Sequence, residues 1–412
     1  MIKKDKTPVF IISGKSPLSA SGGGYSSFAF NLAKVIKKLG HPVYIVALGN
    51  ETKQTKIDAG KLLLFKATLP LLNVNIYALP GLPIYSIIFA QGIQKIADQN
   101  GYKKFIVWGI GPWGLAGAFL KIFSKSKVTF YNNYFTTIRH EWWGGVRALR
   151  VKDYGLWPKI KYLAIYFTVA QYLALLEKIT LKRTDKIITN YSSTERIINK
   201  EFGIDFKKFY RTHSYVQIYK RRVKIGNSND FTKLPAKYLF FFSRQDPRKG
   251  VNFLLHAMKI LSERDFKTPL IIAGGGDMLK YNMQLAAKLK IEKTVKFLGF
   301  VNDTEPLMKG CALFAFPSIE EGSSALTIHE AMEMGLPIVT TACDGIVEDI
   351  KNGKSGILVP MENPEAMANA IEDIIRNPNL AKKLGRGAKE AYKKTFNSNL
   401  VKRGLGKLLQ KI

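Results

Sequence analysis

Short apolar runs, each closed by a Gly- or Ser-rich turn and followed by a helix-length segment, recur twice along this chain. The first series comprises residues 9–12, 43–48, 105–108, 128–131 and 187–189. The second comprises 238–242, 270–273, 295–301, 311–316 and 338–339. Runs of this kind read as buried strands, and the helices between them read as βαβ crossovers. The first unit shows the pattern plainly. Residues 9–12 lead through Gly22-Gly23-Gly24 into a helix with Phe28, Leu32, Val35, Ile36 and Leu39 on one face, which ends at Gly40 before the next strand. Repeated twice, the alternation predicts an α/β chain of two Rossmann-like doubly wound domains facing across a cleft. With 412 residues, each domain can bury its own core. The boundaries expected are 1–215 for the first domain and 216–235 for a basic, polar linker containing Lys220-Arg221-Arg222. The second domain takes 236–390, and 391–412 forms a helix crossing back to the first.

Composition narrows the partners. Hydrophobic residues make up 46% of the chain, which argues for globular cores and against disorder. Lys and Arg number 63 against 31 Asp and Glu, a formal charge of +32, so an anionic partner is expected: phosphate-bearing substrates, an acidic membrane surface or nucleic acid. No stacking platform or groove-reading motif favours nucleic acid. Cys311 and Cys343, in or beside apolar runs, read as buried thiols, which suits a reducing compartment. Met1-Ile2-Lys3-Lys4 leads straight into a strand with no leader pattern. The uncharged stretch 67–94 is broken by Pro70, Pro80 and Pro83, so it reads as strand, loop and helix, and no transmembrane helix is expected. All five tryptophans lie between 108 and 157, with Arg147, Arg150, Lys152, Lys159 and Lys161 around the later ones. The loop carrying Trp142 and Trp143 is expected to meet an anionic membrane surface, and the apolar helix 162–176 to be mostly core.

The most informative stretch runs from Pro317 to Val339. The apolar strand 311–316 feeds Glu321-Gly322-Ser323-Ser324, a helix carries Glu330-Ala331-Met332, and Gly335-Leu336-Pro337-Ile338-Val339 closes it. Small residues at a helix start let N–H groups approach an anion, and the positive end of the helix dipole favours it. Carboxylates suit sugar diols. By themselves, these features also describe a helix cap with surface glutamates. Upstream, Arg244 and Lys249 lie five apart on a strand-to-helix turn ending at Gly250, where a fork and a point charge can clamp a diphosphate from two sides; taken alone, a generic basic turn reads equally well.

The glutamate pair, the Arg…Lys-Gly turn and Gly-Leu-Pro-Ile-Val together resemble family 4 retaining glycosyltransferases. Eight residues separate Glu321 from Glu330, where the family pattern has seven. The resemblance is dense over about 236–390 and thinner at 9–48. It implies the two-Rossmann GT-B architecture, with acceptor on the first domain and nucleotide-sugar on the second. It also implies a hexosyltransferase moving a sugar from a UDP- or GDP-sugar to an acceptor hydroxyl; the tryptophans and the positive charge point to a glycan or lipid-linked acceptor, in cell-surface polysaccharide or glycolipid synthesis. Such an enzyme would be cytoplasmic, peripheral on the cytoplasmic face of the membrane. Arg244 and Lys249 would neutralise the departing diphosphate, so no metal and no cofactor are expected. Gly322, Ser323, Ser324, Ala325, Leu326 and Thr327 would bind the donor phosphates through their turn. Glu330 would hold the ribose and Glu321 the transferred sugar. Gly23 and Gly24 would let the diphosphate lie against backbone, while Gly275 and Phe300 would approach the donor and its base. Many family members carry a histidine after the fourth strand of the first domain, where this chain has Asn132-Asn133. His140 is the nearest candidate for a catalytic role, and Asn132 or Asn133 for holding an acceptor hydroxyl. An epimerase of the same fold, a polyanion-binding protein and a catalytically impaired scaffold are the other readings.

Overall fold

The structure, a computed structural model, describes residues 6–18, 23–66, 81–212, 234–301 and 303–410. The chain divides into two compact units. The first contains an eight-stranded sheet of β1 (Val9–Lys15), β2 (Val43–Gly49), β3 (Lys53–Ile57), β4 (Gly60–Lys66), β5 (Lys104–Ile110), β6 (Lys127–Asn133), β7 (Lys186–Thr189) and β8 (Phe209–Arg211). Its order is β3-β4-β2-β1-β5-β6-β7-β8, parallel except for the β3–β4 hairpin. That hairpin was not anticipated, because Lys53, Gln54 and Lys56 make β3 a polar edge strand without an apolar run. Strand order reverses between β1 and β5, the switch point of a doubly wound sheet. The helix Gly23–Lys38 covers this sheet through Phe28, Leu32, Val35 and Ile36. Val401, Leu405 and Leu408 of the helix Ser398–Leu409 join the same cluster, and Tyr210 donates to the Gly404 carbonyl at 2.8 Å.

The second unit holds an all-parallel six-stranded sheet: β9 (Leu239–Phe242), β10 (Leu270–Ala273), β11 (Val295–Gly299), β12 (Leu313–Phe316), β13 (Ile338–Thr341) and β14 (Ile357–Val359). The order β11-β10-β9-β12-β13-β14 puts its switch point between β9 and β12. Leu239, Phe240, Phe241, Phe314 and Phe316 are fully buried there, as expected for strands covered by helices on both faces. The turn after β9 returns to the sheet at Gly250, whose φ of +68° is left-handed and whose missing Cβ would collide with the Pro317 carbonyl.

Three expectations are corrected. Residues 139–168, placed by sequence in the first domain, group with the second unit, whose described residues are 139–168, 234–301 and 303–395. Long-range polar pairs cause this: Asp153 accepts from His256 at 2.8 Å and from Asn252 at 3.1 Å, and Tyr154 donates to Asn282 at 2.6 Å. Residues 162–176 are not mostly core. They belong to the continuous helix Leu156–Arg183, whose apolar window is only 28% buried and which is long and apolar enough to cross a membrane by length and composition. The tryptophan segment is a helix, Ile138–Ala148, rather than a loop. Trp108, Trp113 and Trp142 pack into cores, while Trp143 and Trp157 are exposed. The expected linker 216–235 and the stretch 67–80 fall largely or wholly outside the described residues.

Candidate active site

The two motif turns of the second unit leave neighbouring strands at the switch point, Arg244 after β9 and Glu321 after β12. Ligands of open α/β sheets bind outside the strand ends at such a point. Arg244 is exposed, its Nη2 2.8 Å from Asp246 Oδ2 and 3.7 Å from Glu141 Oε1. Lys249 is buried, and its Nζ donates to Glu321 Oε1 at 2.5 Å. The same oxygen accepts from Ser318 Oγ at 2.6 Å. The carboxylate expected to meet the sugar is therefore drawn inward by the lysine.

The helix Leu326–Met334 begins two residues later than Ser324, with Ala325 at its N-cap. Gly322, expected at the anion site, donates its N–H at 2.7 Å to Asp344 Oδ2, which also accepts from the Glu321 N–H at 2.8 Å. An internal carboxylate thus takes that part of the turn. Ser323 is buried, its N–H turned back to the Glu321 carbonyl. Ser324 Oγ and Thr327 Oγ1 are buried atoms with no hydrogen-bond partner among the described residues. Glu330 follows Thr327 one helical turn on, half-buried.

The helix Ile138–Ala148 brings two more groups to this turn. Gly144 allows the approach: a Cβ there would lie only 2.5 Å from Glu320 Cβ. His140 Nε2 stands 3.2 Å from Asp344 Oδ2 and 3.5 Å from Glu320 Oε1. Glu141 Oε1 accepts from Arg248 Nη2 at 2.7 Å, and Arg248 Nη1 reaches Glu320 Oε2 at 3.4 Å. Burial opposes the charge on Arg248, but Glu141, Asp246, Glu320 and Glu321 outweigh it and hold the guanidinium firmly protonated. Burial likewise works against ionised Asp246, yet Arg248, Arg244 and Lys249 keep its carboxyl below the usual range. Asp344 is held low in spite of burial, by its bond to His140 and the two backbone N–H groups. Glu320 goes the other way. Burial pushes it up to about 7, with Arg248 and His140 pulling only part of the way back.

Glu320 makes stability depend on pH. Its folded value lies above the unfolded 4.5, so its contribution is fully present below pH 4.5 and is lost as pH rises toward 7. The difference corresponds to about 3 kcal/mol. Urea unfolding at pH 5 and pH 7.5 should show this decline in the wild type and a flatter profile in Glu320→Gln; equal slopes in the two proteins would refute the assignment.

His140, Glu320 and Asp344 offer ligand atoms within 4.8 Å of one another, the one such group among the described residues with metal-ligating chemistry. Arg248 and the backbone N–H groups already occupy these carboxylates, so the set fits an internal charge network better than a cation. Elsewhere, Gly23 and Gly24 open the first-unit helix. Gly275 lies in the turn after β10, beside Phe300, which is exposed. Asn132 and Asn133, candidates for an acceptor hydroxyl, are fully buried in the first unit. Asn132 donates to the Gly111 carbonyl, and Asn133 accepts from Trp108 Nε1 at 2.7 Å. These bonds tie both side chains into the first unit's own sheet. The contacts that join Glu141 to Arg248, Arg248 to Glu320 and His140 to Asp344 span 107, 72 and 204 positions, too far for a local sequence pattern to mark these residues.

Residues 228–391 match the family model of glycosyl transferases group 1. An uncharacterized glycosyltransferase of Methanocaldococcus jannaschii is 26% identical over 394 residues, covering 92% of both chains. Among solved structures, sucrose-phosphate synthase from Thermosynechococcus elongatus superposes with a TM-score of 0.75 at 18% identity, over 98% of this chain and 99% of that one. The Anabaena protein HepE, in complex with UDP and glucose, superposes with a TM-score of 0.66 at 16% identity, over 98% and 100%. The fold is GT-B, two Rossmann-like α/β units. The chain is a glycosyltransferase, an enzyme of the transferase class, and its second unit carries the group 1 domain.

Proposed function

We propose that this enzyme moves a sugar from a nucleotide diphosphate sugar, UDP- or GDP-linked, to a hydroxyl of a glycan or lipid-linked acceptor, with retention at the anomeric carbon in the manner of family 4. The observation that carries the donor site is the pair of partnerless hydroxyls, Ser324 Oγ and Thr327 Oγ1, at the start of a helix that presents Glu330 one turn on. Exposed Arg244 follows the adjacent strand, and buried Lys249, five residues on, pairs with Glu321. Phosphate oxygens accept from the two hydroxyls, the helix dipole and Arg244 stabilise charge on the departing diphosphate, and Glu330 accepts from the ribose. These cations supply the countercharge, so the reaction as proposed uses no metal. HepE, of the same fold, holds UDP in its solved structure, which supports a nucleotide-linked donor.

Thermal unfolding against UDP, GDP, ADP, CMP and their common sugar conjugates tests this. One nucleotide at about a hundredfold above its dissociation constant should add about 2.7 kcal/mol. The shift should vanish in Arg244→Ala and Glu330→Ala. A flat response across the panel would sink the donor site as assigned.

The acceptor side rests on the surface of the segment that leads into the long helix. Leu156 and Trp157 are 59% and 74% exposed and Phe167 is 66% exposed, with Lys152, Lys159 and Lys161 nearby. Aromatics and cations together suit the headgroup region of an anionic bilayer, each cation contributing roughly 1 kcal/mol near the surface. The enzyme would thus act peripherally on the cytoplasmic face of a membrane. Co-sedimentation should show binding to phosphatidylserine vesicles that weakens with salt and is lost in Trp157→Ser/Phe167→Ser. Binding that ignores both lipid charge and these substitutions would exclude this surface.

A further inference from the structure

Asp344 sits at φ +42°, one of four described non-glycine residues with positive φ and, of these, the one whose side chain reaches the candidate site. Glycine adopts this conformation freely, whereas an L side chain there is held by what it contacts. A single oxygen, Oδ2, accepts from the N–H groups of Glu321 and Gly322 at 2.8 and 2.7 Å and lies 3.2 Å from His140 Nε2. The first two contacts set the turn that leads to Ser324 and Thr327. The third joins that turn to a histidine 204 positions earlier in the chain. Glu320 Oε1, 3.5 Å from the same nitrogen, stands beside this bond.

We propose that Asp344 is a positioning residue for sugar transfer: its carboxylate locks the Glu321–Gly322 turn to His140, so the donor-facing hydroxyls and the histidine are presented as one unit. This rests on the functional reading above. Arg244, Lys249 and Glu330, which hold the donor together with the two hydroxyls in that reading, are not among the hydrogen-bond and ion-pair partners of Asp344. Removing the carboxylate should therefore leave nucleotide affinity nearly intact and slow the chemical step, where small displacements matter most.

The test uses the full chain as wild type, Asp344→Gly, Asp344→Asn, His140→Gln and the double variants combining His140→Gln with each. Melting temperature, calorimetric affinity for UDP and GDP, and nucleotide release from UDP- and GDP-linked hexoses are measured for each. Asp344→Gly loses the acceptor contacts but is relieved of its left-handed side chain, so it should stay folded with a melting temperature within a few degrees of wild type and bind its nucleotide within about threefold, while kcat falls about 10- to 100-fold. Asp344→Asn should recover part of the rate, since its amide oxygen accepts the same two N–H groups. The Asp344→Gly/His140→Gln double variant should be no slower than the slower single, because the two residues act through one contact. Turnover of Asp344→Gly within about twofold of wild type, or single losses that multiply in the double, would overturn the proposal. A wild type that neither binds nor releases UDP or GDP would remove the functional reading. The melting temperatures then decide separately: additive effects of Asp344→Asn and His140→Gln would show that the joining contact is absent and overturn the positioning role too.

Discussion

Lys249→Ala is expected to lower turnover of the nucleotide-sugar about 10²- to 10³-fold, the usual effect of deleting one preorganised group that meets developing charge. The same change should destabilise the fold by about 3–5 kcal/mol, because it leaves Glu321 buried without its cation. The two effects have different origins, and the structure says how to separate them. Glu321 Oε1 is shared by Lys249 Nζ and Ser318 Oγ, and the ammonium also lies 5.7 Å from the centre of the Phe316 ring. In Lys249→Ala/Glu321→Gln the buried charge is gone and Ser318 keeps a neutral acceptor. Stability should largely return while turnover stays low, read by urea unfolding and by nucleotide release on the same preparations. If turnover came back together with stability, Lys249 would be a structural cation and the diphosphate would rest on Arg244 and the helix start alone.

Arg248→Met should destabilise the second unit by about 3–5 kcal/mol, more than any surface charge deletion in this chain. Its guanidinium is shared by Glu141 at 2.7 Å, Glu320 at 3.4 Å and Asp246 at 3.6 Å, and it is only 11% exposed. Methionine fills much of the volume and supplies none of the countercharge. The loss should be smaller at pH 5 than at pH 8. Glu320, raised to about 7, carries its proton at the lower pH and then has less need of the arginine. Adding Glu320→Gln should recover part of the loss at pH 8. Denaturant midpoints that do not move, or that move equally at both pH values, would mean the cluster is solvated in solution and contributes little.

How far the primary structure alone reaches can be judged residue by residue. Strands β1, β2, β5, β6 and β7, and β9 to β13, were legible because a buried parallel strand must be a continuous apolar run, and such runs have no competing interpretation when glycines and helix patterns bound them. The polar edge strand β3 carries no such run. The places of Arg244, Lys249, Glu321 and Glu330 on or just after strand-to-helix turns were legible, because such turns are marked within a few residues. Their orientations were not: Lys249 and Glu321 point at each other, and Gly322 donates to Asp344.

Local sequence therefore determined the α/β class, the strand and helix series and the positions of the two motif turns, since these depend on periodicity and turn chemistry over spans of about ten residues. Tertiary structure alone decided that residues 139–168 pack with the second unit, that His140 stands against Asp344 and Glu320, and that Arg248 gathers three carboxylates. The reason is physical. A buried charge must find an opposite charge or a hydrogen-bond donor wherever the folded chain brings one near, and nothing in the neighbouring residues specifies which partner, dozens to hundreds of positions away, that will be.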